Sequence, residues 1–143
     1  MSDLSLFLKK NKVVKNNVFY AATKSLRGED GKPLLWEIKP ISTKEDEAIR
    51  DACTSEIPVR GRPNVYRNKL DTGKYVTKLI AASVVYPDLL NAELQDSYGV
   101  KTSEDLLKEM VDDSGEYMEL TAFVQRLNGF NISMDEQADA AKN

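Results

Sequence analysis

The side chains that most often do chemistry are grouped at three places in this sequence. Glu45, Asp46 and Glu47 form a carboxylate cluster, Asp112 and Asp113 form a pair, and Cys53 is a lone thiol. Adjacent carboxylates can serve acid–base catalysis or hold a hard cation, and a thiol becomes a nucleophile when a neighbouring base activates it. The chain has no histidine, which removes the commonest base and metal ligand, and a single cysteine removes thiolate clusters and internal disulfides. Neither a Walker loop nor GxGxxG occurs. Each acidic group also has a plainer reading. Ser42 stands three residues before Glu45, the spacing of a capping box, so the cluster predicts the positive end of a helix. Asp112 and Asp113 precede Ser114 and Gly115 at a helix junction, and Cys53 closes an apolar stripe of Ala48, Ile49 and Ala52 as a small core residue. The expectation is a protein that is not an enzyme and takes no metal or cofactor.

A different chemistry is offered by "SEIPVRGRPNVYRNKL", from Ser55 to Leu70, where Pro58, Gly61 and Pro63 predict a long exposed loop. Its "RGRP" is similar to the core of an AT-hook, which lays arginines in the minor groove of AT-rich DNA. Arg60, Arg62, Arg67 and Lys69, with no acid between them, are the candidate nucleic-acid residues. Four cations in an acidic chain offer few phosphate contacts, and salt would erode them quickly. DNA binding is therefore the alternative reading rather than the leading one.

The elements that must position these groups follow from periodicity. "NNVFYAATKSL" and "PLLWEIKPI" carry the β-branched and aromatic residues of strands around the turn residues Asp30, Gly31 and Pro33. They predict a β-hairpin over about residues 18–38, its buried face anchored by Trp36 with Leu34 and Ile38. After the helix capped by Ser42, Asp71 opens a second helix. Tyr75, Val76, Leu79, Ile80, Ala82, Ser83 and Tyr86 share a wide face there, and Pro87 ends it. "DLLNAELQDS" predicts a short helix with Leu90 and Leu94 one turn apart, stopped by Gly99. Thr102 or Ser103 caps the next helix, with Leu106, Leu107, Met110 and Val111 inward. Tyr117, Leu120, Val124 and Leu127 form the stripe of a last helix, with Phe123 and Phe130 beside it, and Asn128-Gly129 stops it. The fold class is α+β: a mainly α-helical single domain, 1–130, with the N-terminal hairpin packed on four to five helices. Residues 1–10, where "LSLFLKK" offers one or two amphipathic turns, are expected to be a mobile arm because terminal segments are often poorly fixed, and 131–143, which lack an apolar stripe able to dock firmly, a flexible tail.

The totals agree with one such domain. The 143 residues are 41% hydrophobic and 30% charged, an ordinary globular balance. No apolar run approaches the roughly 20 residues needed to cross a bilayer, so no membrane partner is expected. The net charge of −3 hides an asymmetry. Residues 1–72 hold 14 basic and 10 acidic side chains, and 73–143 hold 6 and 13, so the halves are +4 and −7.

The ordered set "GKPLLWEIKPIS", "EDEAIRDACT", "PDLLNAELQDSYGV" and "DLLKEM" resembles the XkdN-like phage tail assembly chaperones of phages and prophages of low-GC Gram-positive bacteria. The resemblance runs from about Leu4 to Phe130 and is weakest from Pro58 to Leu70. It implies a non-enzymatic assembly factor in the host cytoplasm, absent from the mature virion. Such a factor would bind the tape measure protein, keep it soluble and give way as the tail tube polymerises. The family offers no contact residues to carry over, so the candidates are physical: Leu4, Phe7 and Leu8 in the arm, and Phe123, Leu127 and Phe130 beside the tail. The resemblance also implies a possible partner in a frameshifted longer form of the chain. Ala141-Lys142-Asn143 can be encoded by GCA-AAA-AAY, which contains the slippery heptamer A-AAA-AAY.

Overall fold

The computed structural model describes residues 3–129; Phe130 and the tail, with the frameshift codons, lie outside them. The expected hairpin forms from β1 (Val18–Tyr20) and β2 (Trp36–Ile38), antiparallel, with Tyr20 opposite Trp36 and Val18 opposite Ile38. Trp36 and Ile38 are buried as strand alternation requires, but Leu34 is exposed because the strand begins only at Trp36. Leu34 instead donates its backbone N–H to the carbonyl of Leu26 within the connection.

Helix α1 (Thr43–Ala52) starts with the complete capping box: Glu45 donates its N–H to the Ser42 hydroxyl, and Ser42 N–H donates back to the Glu45 carboxylate. The helix itself carries no fully buried residue, since Ala48 and Ala52 stay exposed and Ile49 is half-buried; Cys53 at its C-cap is buried.

The long loop expected from Ser55 to Leu70 is a second hairpin, β3 (Thr54–Pro58) with β4 (Tyr66–Leu70). Its tip solves the turn by two successive hydrogen-bonded turns, Arg62 N–H to Val59 and Val65 N–H to Arg62, each with its positive-φ residue in third place, Gly61 (φ 79°) and Asn64 (φ 64°). Of the residues that suggest a loop, Gly61 and Pro63 belong to the turns while Pro58 ends β3, and Tyr66 and Val65 supply strand propensity.

Helix α2 (Thr72–Ser83), N-capped by Asp71, is the hub, packed against α1, α4 (Ser103–Met110) and α5 (Ser114–Leu127). Being covered on several sides, it buries Thr77 as well as Tyr75, Leu79, Ile80 and Ser83. Thr77 is satisfied by the Gly73 carbonyl and by the Tyr117 hydroxyl at 2.8 Å. The helix stops at Ser83, short of the expected Tyr86. Val84–Tyr86 is a strand, β5, added to β2 to give the sheet order β1-β2-β5. Two consecutive β-branched residues and the free edge of β2 outweigh helical continuation, and Tyr86 ends largely exposed.

Helix α3 (Ala92–Ser97) is capped by Asn91, whose side chain accepts from Leu94 N–H; Gly99 at φ 70° ends it in the left-handed region. The helix starts only at Ala92, so Leu90 is not one turn before Leu94 on it as the spacing predicts; Leu89 is buried and Leu90 projects at 76% exposure. Leu106, Leu107, Met110, Val111, Leu120 and Val124 close the core with Trp36, Ile38, Leu79 and Ile80. Among the described residues the architecture is thus a single α+β domain of five α-helices and small antiparallel sheets.

Candidate functional site

Of the carboxylates that suggested chemistry, Glu45, Asp46 and Asp113 are engaged in structure. Glu45 closes the capping box and accepts from Lys39 Nζ at 2.8 Å, and that hydrogen bond holds its carboxyl below the usual range. Asp46 accepts from Arg50 Nε at 2.9 Å and from the Tyr75 hydroxyl. The Arg50 guanidinium also lies over the Tyr75 ring, 4.6 Å from its centroid. Burial, followed by the bond to Asp46, pushes the Tyr75 phenol up to about 12. Asp113 is the N-cap of α5, accepting from Glu116 N–H. Glu116 in turn accepts from the buried Thr23 hydroxyl and from Lys24 N–H, both at 2.7 Å, tying the α5 N-terminus to the segment after β1. Among the described residues, no group of three histidine, cysteine, aspartate or glutamate side chains could hold a metal ion. No helix among them is long and apolar enough to cross a membrane.

Ahead of β1, two 3-10 turns, Asp3–Phe7 and Lys9–Asn11, are held together by the Asn11 side chain on the Ser5 carbonyl at 2.6 Å. Leu4, Leu6, Phe7 and Leu8 are all exposed there, Phe7 at 83%, and so are Val13 and Val14 of the following stretch. Four lysines, Lys9, Lys10, Lys12 and Lys15, are interleaved with them. Of the other candidates, Phe123 is half-buried and stacks on Tyr20 with centroids 4.2 Å apart, and Leu127 is half-buried against the core. Phe130 lies outside the described residues. The arm trio and the α5 pair therefore differ in burial: the first is exposed, while the second is half-buried against the core.

Arg60 and Arg62 sit at the tip of the second hairpin, and Arg67 and Lys69 project from one face of β4. All four are exposed. Two further surfaces escape the sequence reading. One is the outer face of the three-stranded sheet, where Phe19 and Tyr86 flank Glu37 in register. The other is a cavity of about 400 Å³ bedded on Ala48, Ala52, Ala81 and Ala82, with Leu90 and Asp88 on its margin and the Lys78–Glu104 pair, 2.9 Å apart, across it. Burial raises the Glu104 carboxyl, but the hydrogen bond from Lys78 and further bonds outweigh it, and the net shift is downward. A signal for the groove was present: Asn91 is a strong cap residue, and starting α3 after it leaves Leu90 outside the helix.

The chain matches, over residues 4–142, the family model described as phage XkdN-like tail assembly chaperone protein. It is 23% identical to the phage-like element PBSX protein XkdN of Bacillus subtilis (strain 168) over 141 residues, covering 99% of this chain and 94% of that protein. It is 24% identical to the uncharacterized protein YqbN of the same strain, covering 99% of this chain and 93% of that one. The crystal structure of the protein YqbN has the same fold, with a TM-score of 0.76 at 20% identity over 92% of this chain and 99% of that chain.

Proposed function

The chain belongs to the XkdN-like phage tail assembly chaperone family, and from that premise we propose that it binds the tape measure protein, keeps it soluble and leaves as the tail tube polymerises. The observation that carries this reading is the arm: Leu4, Leu6, Phe7 and Leu8 exposed together on a short segment with no buried residue. Contiguous exposed apolar side chains on a soluble protein mark a contact surface. A tape measure protein is a long, largely helical client whose apolar stripes would otherwise self-associate. A small apolar arm can cover such a stripe by side-chain packing in the manner of helix-in-groove contacts. The interleaved lysines keep the arm itself soluble and favour acidic client segments.

The contact needs no energy source for release. A weak contact repeated along a long client protects through number and yields one copy at a time to the polymerising tube. The site of action is then the host cytoplasm, and the finished virion lacks the protein.

Co-expression with the tape measure protein of the same phage tests this. The client stays soluble and co-purifies with the tagged full-length chain, and is lost when Leu6 and Phe7 are both replaced by serine. A client that aggregates to the same extent with and without this protein overturns the reading.

A further inference from the structure

The β3–β4 hairpin is the part of the molecule that the proposed activity leaves unused, and it is an odd object for a small domain. None of its strand residues is fully buried, and its main contact is between its own strands. A two-stranded hairpin alone is marginal in water and gains order when a face is covered. The register puts Ile57 opposite Arg67 and Ser55 opposite Lys69, and the Val59 N–H to Val65 carbonyl bond continues the ladder. One face therefore presents Ile57, Val59 and Val65 beside Arg67 and Lys69. With Arg60 and Arg62 at the tip and only Glu56 opposing, residues 54–70 carry four basic groups and one acidic group. The cations protect the open strand edges from indiscriminate pairing, and they also set the sign of whatever covers the apolar face.

The complementary surface is on the same molecule and takes no lining from its own hairpin. The alanine-bedded groove between α1 and α2 has Leu90 standing in solvent at its margin, with Asp88 beside it. A neighbouring cavity shares Asp88 and is lined also by Glu93 and Leu94. Together the two linings carry three carboxylates, Asp88, Glu93 and Glu104, against the single cation Lys78, which is already paired with Glu104. No hairpin residue lines this groove, and the hairpin's base is fixed by the bond from Asp71 N–H to the Cys53 carbonyl.

We propose that the basic, apolar face of the β3–β4 hairpin docks into the acidic, apolar groove of a second copy of this chain. The two patches differ, so the contact is heterologous: every copy keeps a free hairpin at one end and a free groove at the other, and copies add head to tail until a ring closes or the supply ends. The charge pairing makes the association weaken as salt rises. The arm takes no part, so client binding and self-association can fail independently.

Sedimentation velocity of the full chain at low salt, over a roughly hundredfold concentration range, tests the contact. The expected result is a mass that grows past two copies and falls back towards one in high salt. Two variants change only exposed side chains: R67E/K69E removes the hairpin's cations, and L90K removes the groove's apolar margin and adds a repelling charge. Each weakens association by about tenfold or more, with an unchanged thermal unfolding midpoint. Mixed, they restore association but stop at two copies, because one intact hairpin meets one intact groove. A chain monomeric throughout the range, association that survives both variants, or a mixture that stays monomeric overturns the proposal. So does a monomeric chain whose hairpin binds AT-rich duplex and loses that binding in R67E/K69E, which gives the surface to nucleic acid.

Discussion

Tyr75 shows how one side chain links two helices through three interactions. Its hydroxyl donates to Asp46, its ring carries Arg50, and Arg50 in turn donates to Asp46. Replacing it with phenylalanine keeps the packing and the cation–π contact but strips Asp46 of one donor. A hydrogen bond to a charged group contributes about 1.5–3 kcal/mol when well shielded. The part-buried geometry here puts Tyr75→Phe below that range, at about 1 kcal/mol, as chemical denaturation would measure. The pH dependence has a definite sign. A phenol held at about 12 in the folded state, against 10.0 in the unfolded chain, keeps its proton better when folded. Its contribution is complete below pH 10 and disappears as pH rises through about 12. Stability therefore falls over that window, and the fall is shallower in Tyr75→Phe. Equal slopes in the two proteins would show that Tyr75 is not the group responsible. At the acid end, Glu45 and Glu104 have lowered carboxyl pKa values, so what they contribute is present above the ordinary carboxylate range and is lost as pH falls through their folded values.

Elements were legible where a local rule and the tertiary context agree. Ser42 with Glu45, and Asp71 ahead of a wide apolar stripe, fix helix starts by chemistry contained within four residues, and both stand as read. Gly99 and Gly129 mark stops at positive φ for the same reason. The failures share a different cause. Val84–Tyr86 continues the helical period of α2, yet becomes a strand because β2, almost fifty residues earlier, has an edge to fill. No local pattern contains that fact. The second hairpin was hidden because its strands are covered on neither face and so lack the alternation that announces a half-buried strand. Surfaces were the least legible, since the groove depends on α1, α2 and the turn before α3 meeting in space. The hairpin tip supplies a prediction at this scale. Gly61 has φ 79° with open space where a Cβ would stand, so Gly61→Ala costs only backbone strain, about 1 kcal/mol. That strain falls on a hairpin loosely joined to the core. Hydrogen exchange should quicken for the amides of β3 and β4 while those of α2 and α4 keep their protection. Matching acceleration in α2 would mean that the hairpin and the core unfold as one unit.

At the scale of the whole molecule, the arrangement separates what holds the protein together from what it offers to others. The helical core closes around α2, while the arm and the second hairpin extend from it with no buried residue in the arm turns or the hairpin strands. Such a division allows a decisive comparison between the arm and α5. Removing residues 1–11 takes away Leu4, Leu6, Phe7 and Leu8 without opening the core, and exposed changes of this kind alter stability by about 0.5 kcal/mol or less. Phe123→Ala removes the ring stacked on Tyr20 and leaves a gap under the first hairpin. For a half-buried phenylalanine that loss is about 2 kcal/mol, below the range for a fully buried one. If the arm is the client surface, its removal leaves the unfolding midpoint in place and abolishes solubilisation of the tape measure protein, while Phe123→Ala lowers the midpoint and leaves solubilisation intact at permissive temperature. The opposite pattern, solubilisation surviving without the arm and failing in folded Phe123→Ala, would move the client surface to α5 and the chain beyond it.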